Sequence, residues 1–312
     1  ANRGQLCFKG KFGMGFINHK SRLRTPLIRK GNDLEETSWE EAIQFMAEKL
    51  ATYKGNEFAA LASPQKTNEE LYMLQKFSRV VMASNNVDHA SNTKTGLVSG
   101  LADTLGYPAG TNPIWELEQS GCILVVSANV TEEHNVLGVP IKRATMNGGK
   151  LIVIDQREVE LTRYATIWLR PRPGTELMLL GFMLRVINDE VLEDLEFVQQ
   201  NCENQSSLKQ SLVKYFDLER VEEITGISKD KVQEAARLYA GTDPASIVYA
   251  LDTIPEEQAL EVTHSIPNLA LLTGNVGKIG GGIYPLRQGT NEQGACDVGC
   301  LPDFLPGYRA VY

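Results

Sequence analysis

Cysteine is scarce in this chain of 312 residues, and its five cysteines include no Cys-x-x-Cys pair. An odd number of cysteines without that spacing argues against a disulfide framework and indicates a reducing compartment. We therefore expect a cytoplasmic location, although an export signal upstream of the first residue stays open. Long apolar runs are also absent, since none reaches the roughly 18 residues of a membrane-spanning helix. No transmembrane segment is predicted.

Positive charge is in deficit, because 31 lysines and arginines face 39 acidic residues, for a net charge of −8. This balance argues against nucleic-acid binding, but local arginines and backbone N–H groups still permit an anionic cofactor. A GxGxxG fingerprint follows none of the predicted strands, which disfavours a generic NAD-dependent dehydrogenase. With 42% hydrophobic and 22% charged residues, the chain has an ordinary globular composition and is long enough for two lobes.

Helix-like and strand-like segments alternate along the chain. Continuous apolar runs at 122–126 and 151–154 are typical of parallel strands that are covered on both faces. Further strands are predicted at 58–62 and 247–251, and helices at 37–50, 68–82, 176–188 and within 218–241. The alternation predicts an α/β fold with a doubly wound open sheet, which binds ligands beyond the carboxyl ends of its strands.

Polar residues follow these strands where such a ligand would bind. Ser127 and Asn129 come directly after the strand at 122–126 and lead into a predicted helix, where free N–H groups can meet an anion. Asp155 and Arg157 follow the next strand, and an acidic side chain there can bond a ribose or a base edge. The two could also simply cap the strand and pair with each other. The stretch RPRPGTE at 170–176 enters the next helix in a similar way.

Residues 273–308 are rich in glycine and show neither helical nor strand periodicity. Glycine lets the main chain come close to whatever it binds, and a long ordered loop inside a compact domain is usually functional. We therefore predict a binding loop here, with a plain surface turn as the alternative.

The residue order of this loop, TGNVGKIGGG and then PLRQGTNEQGACDVG, closely resembles TGNIG-x-x-GGG and PLRGQNN-x-QGACDMG of the molybdopterin oxidoreductases, in particular the catalytic subunit of formate dehydrogenases. GQLCFKGKFG at 4–13 resembles the same family, and SANVTEEH, VIDQR and RPGTE stand where the family carries GSN-x-TE-x-H, VIDPR and RPGTD. The resemblance covers most of the chain. It implies doubly wound, mostly parallel sheets in two Rossmann-like lobes, with 31–90 and 281–312 in one lobe and 91–280 in a dinucleotide-binding lobe. Residues 1–30 would be the remnant of an iron–sulfur domain.

For cofactors, the resemblance implies a molybdopterin guanine dinucleotide with Mo or W and, in the intact subunit, a [4Fe–4S] cluster. Cys7 would be the last of four cluster ligands, and Lys9 would lie between cluster and pterin. The other three ligands would lie upstream and a β-barrel downstream, so we expect a fragment at both ends, and one thiolate cannot hold such a cluster. The implied partners are a small-molecule substrate and iron–sulfur or flavoprotein electron-transfer subunits. The implied dinucleotide contacts are Ser127, Asn129, Asp155, Arg157, Gly174, Thr175, Glu176, Gly274, Gly277, Gln293 and Asp297.

The metal site departs from the family pattern. The family's ligand, a cysteine or selenocysteine, follows NNVDH and precedes a histidine. NNVDH is present at 85–89, but the alignment puts Thr93 at the ligand position and Lys94 at the histidine position, and no cysteine occurs between Cys7 and Cys122. Thr93 could supply an oxygen ligand, whereas Lys94 stays cationic near neutral pH.

Two functions therefore stay open. One is the two-electron oxidation of a small substrate, formate by resemblance, with electrons passed to the [4Fe–4S] cluster. Its remaining catalytic candidates are Lys9 and Arg287, which aligns with the arginine that helps position formate. The missing thiolate favours the alternative, a catalytically degenerate scaffold or electron-transfer subunit like the large iron–sulfur subunit of complex I.

Overall fold

The computed structural model describes residues 3–90 and 96–311, so the predicted metal-site residues Thr93 and Lys94 lie outside the described residues. The strands of the described part are β1 (Leu27–Lys30), β2 (Asp33–Glu36), β3 (Ala60–Ala62), β4 (Val87–His89), β5 (Cys122–Val126), β6 (Lys150–Ile154), β7 (Ile167–Leu169), β8 (Ala245–Tyr249), β9 (Gly282–Pro285), β10 (Phe304–Leu305) and β11 (Arg309–Ala310). The α-helices are α1 (Phe8–Phe12), α2 (Trp39–Leu50), α3 (Asn68–Lys76), α4 (Ser99–Leu105), α5 (Val130–Glu133), α6 (Asn135–Met146), α7 (Glu176–Asp189), α8 (Leu195–Asn201), α9 (Gln205–Tyr215), α10 (Val221–Thr225), α11 (Lys229–Ala240), α12 (Ala259–Leu272) and α13 (Glu292–Asp297). Among the described helices, none is both long and apolar enough to cross a membrane.

The chain divides into two compact units. The larger unit is Lys94–Arg287 with Ala1–Arg3, and the smaller unit joins Gly4–Thr93 to Gln288–Tyr312. The sequence predicts a lobe boundary at residue 280, but β9 lies beyond that point and pairs in parallel with β8. The larger unit therefore extends to Arg287.

The larger unit is built on a five-stranded parallel sheet with the strand order β7-β6-β5-β8-β9. Every residue of the central strand β5 is buried, as its unbroken apolar run predicts. Successive side chains of a strand point to opposite faces, so Leu124 joins the hydrophobic cluster that contains α7, α11 and α12, while Ile123 joins the one that contains α6. Helices thus cover both faces of the sheet, and the predicted doubly wound α/β class is confirmed.

The smaller unit contains the parallel pair β3 and β4, the antiparallel pair β1 and β2, and the helices α2, α3 and α13. Its two sequence pieces meet in a small apolar cluster in which Leu71 packs with Ala295 and Cys300. Arg79 also joins the two sequence pieces, because its guanidinium donates to the carbonyl of Gly299 at 2.7 Å and to the carbonyls of residues 301 and 304 at 2.8 and 3.0 Å. A planar guanidinium with five donors suits such a set of fixed carbonyls.

The glycine-rich segment differs from its prediction as an irregular loop, because it contains both β9 and α13. Strand β9 contains Ile283 and Tyr284, which favour strands, and it pairs in parallel with β8. Gly282 has a φ of +96°, and a Cβ there would lie 2.2 Å from the Oδ1 of Asn112. The absence of a side chain at Gly282 therefore lets Asn112 pack directly against the backbone of β9.

Candidate functional site

The carboxyl ends of the parallel strands in the larger unit gather most of the predicted site residues at one edge. Ser127 follows β5, is fully buried and has a φ of +48°. Its N–H donates to the carbonyl of Ile154, the last residue of β6, at 2.8 Å. A non-glycine residue with a positive φ stores strain that is often found at functional sites. The turn after β5 is thereby fixed against the end of β6.

Glu176 lies at the centre of this edge, at the start of α7, and its side chain is fully buried. Its Oε1 accepts from the Nε2 of Gln156 at 3.1 Å and from the hydroxyl of Thr253 at 3.3 Å. The Oγ1 of Thr253 also lies within hydrogen-bond distance of the Oγ of Ser127, at 2.9 Å. The Oε2 of Glu176 is buried and has no hydrogen-bond partner among the described residues. Burial raises the pKa of the Glu176 carboxyl above its ordinary value, although hydrogen bonding from its own backbone and from the side chains of Thr253 and Gln156 opposes the shift.

A second group of charges lies beside this carboxyl. Asp155 is fully buried and receives two bonds from the Arg157 guanidinium, at 3.1 and 3.0 Å, and one from the Arg157 N–H at 2.8 Å. These bonds to Asp155 raise the pKa of Arg157 further above its ordinary range. The Nη2 of Arg157 also lies 3.5 Å from the Oδ2 of Asp252, which follows β8. Of the two roles left open for this pair, the capping and pairing role is present in the structure.

Asn129 extends the edge beyond β5. Its N–H donates to the Oδ2 of Asp252 at 3.3 Å, and its side-chain Nδ2 donates to Glu132 at 2.9 Å. The side-chain Oδ1 of Asn129 is buried with no partner among the described residues. Burial lowers the pKa of the nearby His134, and the charge of Asp252 opposes that shift. Two buried acceptors at one edge, on Asn129 and Glu176, therefore have no hydrogen-bond partner within the described part of the chain.

The turn from β7 into α7 places Gly174 and Thr175 at the same edge. Gly174 has a φ of +77°, a conformation that glycine adopts without strain. The hydroxyl of Thr175 donates to the carbonyl of Arg172 at 2.7 Å and so closes the turn. Ser127, Asn129, Asp155, Arg157, Gly174, Thr175 and Glu176 are therefore brought together as the strand-end rule predicts.

Other predicted residues lie elsewhere. Gly274 and Gly277 belong to the loop before β9, at the amino ends of the strands, because the side chain of Asn275 in that loop accepts from the N–H of Ala245, the first residue of β8, at 2.8 Å. The structure does not bring these two glycines to the carboxyl edge. Gln293 and Asp297 lie in α13 of the smaller unit, where they bond to each other at 2.8 Å.

The predicted catalytic residues belong to different units. Arg287 follows β9 in the larger unit, and its Nη2 donates to the carbonyl of Pro108 at 2.9 Å. Lys9 is exposed and Cys7 half-exposed at the start of α1, in the smaller unit. Hydrogen bonding from the backbone at Gly10 lowers the pKa of the Cys7 thiol. Within residues 3–90 and 96–311, no cluster of three or more His, Cys, Asp or Glu side chains is arranged to hold a metal ion.

Sequence reasoning missed Gln156, Asp252 and Thr253 as members of this site. A signal for the last two was present, because they follow the predicted strand 247–251 as Asp155 follows the strand before it. Their proximity to Ser127 depends on β8 lying directly beside β5, which the order of strands along the chain does not reveal.

A parallel sheet with helices on both faces defines a doubly wound α/β protein, a class that binds its ligands beyond the carboxyl ends of the strands. The family model described as molybdopterin oxidoreductase matches residues 22–311. This chain belongs to that family, which implies a molybdopterin cofactor. The predicted family is thereby confirmed.

Two relatives place the chain beside formate dehydrogenases. It is 39% identical over 311 residues to the F420-dependent formate dehydrogenase subunit alpha of Methanocaldococcus jannaschii, which covers 99% of this chain and 46% of that protein. It is 37% identical over 322 residues to formate dehydrogenase H of Escherichia coli, at 99% and 45% coverage. The chain thus spans less than half the length of these relatives.

A solved structure shows the same fold with a different named activity. Acetylene hydratase from Pelobacter acetylenicus aligns with a TM-score of 0.75 and 27% identity, over 89% of this chain and 39% of that one. The family's fold therefore accompanies more than one reaction, so function has to be argued from the site.

Proposed function

We propose that this chain is the cofactor-binding core of an oxidoreductase of formate dehydrogenase type, and that the carboxyl edge of its five-stranded sheet holds the guanosine half of a molybdopterin guanine dinucleotide. The observation that carries the proposal is the buried Oε2 of Glu176, which has no partner among the described residues. A buried acceptor left without a partner costs about 1–3 kcal/mol. A ligand that donates to this oxygen removes that cost.

Guanine has the donors that fit this acceptor. Its N1–H and 2-amino group lie side by side on one edge of the base, and a carboxylate can accept from both. Glu176 and the Oδ1 of Asn129 together offer two unsatisfied acceptors at the edge where nucleotides bind in sheets of this kind. Adenine has no donor at its N1 position, so the acceptor pair favours guanine.

Arg157 supports the same assignment. Asp155 fixes its guanidinium from one side through two hydrogen bonds, and 41% of the Arg157 side chain stays exposed. A guanidinium held in this way offers a flat face for stacking on a base and a charge for an anionic group. The residues present therefore fit the nucleoside half of the cofactor.

When bound, the cofactor supplies two-electron redox chemistry with Mo or W. By family resemblance, Arg287 would orient a formate carboxylate by its charge, and Lys9 would be a further cation of the intact enzyme. Cys7 would hold the [4Fe–4S] cluster as one of its thiolate ligands, and iron–sulfur or flavoprotein subunits would be the partners that accept electrons. The five cysteines, which form no disulfides, support a cytoplasmic location.

The test is to measure the GMP, pterin and metal content of the purified full-length protein. Acid hydrolysis should release GMP and pterin in equimolar amounts, with Mo or W in the same fractions. Pterin without GMP would reject the guanine site at Glu176. If neither pterin nor metal were found, the cofactor proposal as a whole would fail.

A second function rests on the sequence between Cys7 and Cys122, which holds no cysteine to serve as the metal's thiolate ligand. A scaffold or electron-transfer subunit without its own turnover explains that loss. Bound pterin and metal together with formate oxidation would exclude it, whereas an intact [4Fe–4S] signal without pterin would support it.

A further inference from the structure

Gln156 holds one oxygen of the Glu176 carboxylate in place. Its Nε2 donates to the Oε1 of Glu176 at 3.1 Å and to the carbonyl oxygen of Thr253 at 3.4 Å. A carbonyl oxygen can only accept, and so can an ionised carboxylate, so the amide nitrogen of Gln156 rather than its oxygen has to face them. The direction of the hydrogen bond to Glu176 is therefore fixed.

The other side chain that reaches this oxygen is less constrained. The hydroxyl of Thr253 has one proton, and two acceptors lie near it, the Oε1 of Glu176 at 3.3 Å and the Oγ of Ser127 at 2.9 Å. It can donate to only one of them at a time. Gln156 thus donates to Glu176 whichever way that hydroxyl turns.

Two departures from the family motifs meet at this contact. VIDQR has Gln156 where the family has proline, and RPGTE has Glu176 where the family has aspartate. Proline has no side-chain donor. Glutamate has one more methylene and one more rotatable bond than aspartate, so fixing its carboxylate costs more rotamer freedom. The longer acid and a donor that holds it therefore occur together in this chain.

We propose that Gln156 is a positioning residue for guanine recognition, which holds the Oε1 of Glu176 so that the Oε2 is presented to the 2-amino group of the base. This inference rests on the proposed binding of the guanosine half at this edge. The main chain of Gln156 is itself held, because its carbonyl accepts from the Nε of Arg170 at 2.9 Å. Gln156 acts through Glu176, so its removal leaves the carboxylate present but no longer fixed.

The test is the ratio of GDP to IDP affinity in Gln156→Met, measured by calorimetric titration of the cofactor-free full-length protein. IDP lacks the 2-amino group, so the ratio isolates that contact. Methionine keeps roughly the length of glutamine but has no donor. The preference for GDP should fall about fivefold, which is the size of one intramolecular hydrogen bond.

The pH dependence of that ratio separates positioning from a general loss of structure. Burial raises the pKa of the Glu176 carboxyl, and the hydrogen bond from Gln156 opposes the rise. Without that bond the pKa should rise further, so Gln156→Met should lose its remaining GDP preference at a higher pH than wild type on acidification. The charges of Asp155, Arg157 and Asp252 at the same edge are present in both proteins, and the phosphates of GDP and IDP titrate alike.

Gln233→Met is the matched control. The Nε2 of Gln233 also donates to a carboxylate, the Oε1 of Glu190 at 3.4 Å, from a half-buried position in the same unit. Glu190 follows the last residue of α7, whereas Glu176 is the first residue of that helix. The control should keep the wild-type ratio and its pH dependence. An equal fall in both variants would show a general effect of losing an amide and would overturn the proposal.

The outcomes separate this inference from the function on which it rests. If wild type prefers GDP and Gln156→Met keeps both the ratio and its pH dependence, the role of Gln156 is refuted while the guanine site stands. If wild type binds GDP and IDP alike, or binds neither, the proposed guanine site fails and the inference fails with it. Gln156→Asn is the second variant if the methionine variant does not fold. Its amide is withdrawn by one methylene, so the same fall in the ratio is expected.

Discussion

Replacing Glu176 with glutamine should change which purine the site prefers. In the folded protein, the Oε1 of Glu176 is occupied by Gln156 and Thr253, while the Oε2 has no partner among the described residues. Hypoxanthine, the base of IDP, has the N1–H of guanine but lacks its 2-amino group. Comparing GDP with IDP therefore isolates one hydrogen bond to this carboxylate.

The size of the effect follows from that single bond. A hydrogen bond to a charged group contributes about 1.5–3 kcal/mol, and about 1.4 kcal/mol is a tenfold change in Kd. Wild type should thus bind GDP about 10- to 100-fold more tightly than IDP. In Glu176→Gln the amide has only one oxygen, and that oxygen already serves Gln156 and Thr253. The preference for GDP should then fall to about threefold or less.

The assay is calorimetric titration of the cofactor-free full-length protein with each nucleotide at one pH and one salt concentration. Glu193→Gln is the control, because Glu193 is also buried in the larger unit with one unsatisfied oxygen and a lysine partner, Lys209. It should leave the ratio of GDP to IDP affinity unchanged. Equal binding of GDP and IDP by wild type, or a ratio that survives Glu176→Gln, would refute the guanine contact.

Three further predictions concern stability, measured as the free energy of unfolding in urea. Gly100→Ala should cost about 3 kcal/mol, because a Cβ there would lie 2.0 Å from the carbonyl oxygen of Thr263 in α12. Gly138→Ala in α6 is the control: its Cβ would make only ordinary contacts, so the variant should be neutral or stabilising by up to about 1 kcal/mol. Equal effects of the two substitutions would contradict the close contact between Gly100 and α12. Arg79→Met should cost about 3 kcal/mol or more, because three carbonyls lose their hydrogen-bond donor at once. Arg79→Lys should restore only part of that loss. A methionine variant as stable as wild type would show that these hydrogen bonds do not stabilise the smaller unit. Burial raises the folded-state pKa of Glu176, so its stabilising contribution is complete below the ordinary glutamate pKa and is lost as pH rises through the raised value. The stability of Glu176→Gln relative to wild type should therefore rise as the pH increases above the ordinary glutamate pKa of about 4, and a difference that is constant with pH would contradict the shift.

Most of the larger unit could be predicted because its signals are local. The apolar runs of β5 and β6 are buried on both faces, which fixes them as inner parallel strands, and polar residues directly after them must lie at one edge. Ser127 and Asp155 are predicted in this way, whereas Glu176 at the start of α7 is implied by the family resemblance. Each position depends only on where its own strand or helix begins or ends.

The missing members depend on topology instead. Asp252 and Thr253 follow a strand that comes more than 100 residues after β5 in the chain, yet β8 pairs directly with β5. No local pattern reveals that adjacency, because strand order in a doubly wound sheet is set by crossover connections. The hydroxyl that joins Ser127 to Glu176 was therefore outside the reach of the sequence pattern.

The glycine-rich segment could not be predicted for a different reason: glycine content does not show whether a ligand or another part of the chain packs against each glycine. A Cβ at Gly280 would lie 2.9 Å from the carbonyl oxygen of Gln119, and one at Gly282 would collide with the side chain of Asn112. Asn275 adds its own bonds, since its Oδ1 accepts from the first residue of β8 and its carbonyl accepts from the N–H of Gly282. These glycines let the protein's own chain pack at the amino ends of β8 and β9. A glycine that makes room for a ligand and a glycine that makes room for another part of the chain give the same sequence pattern. Only the end of the sheet at which the loop lies distinguishes them.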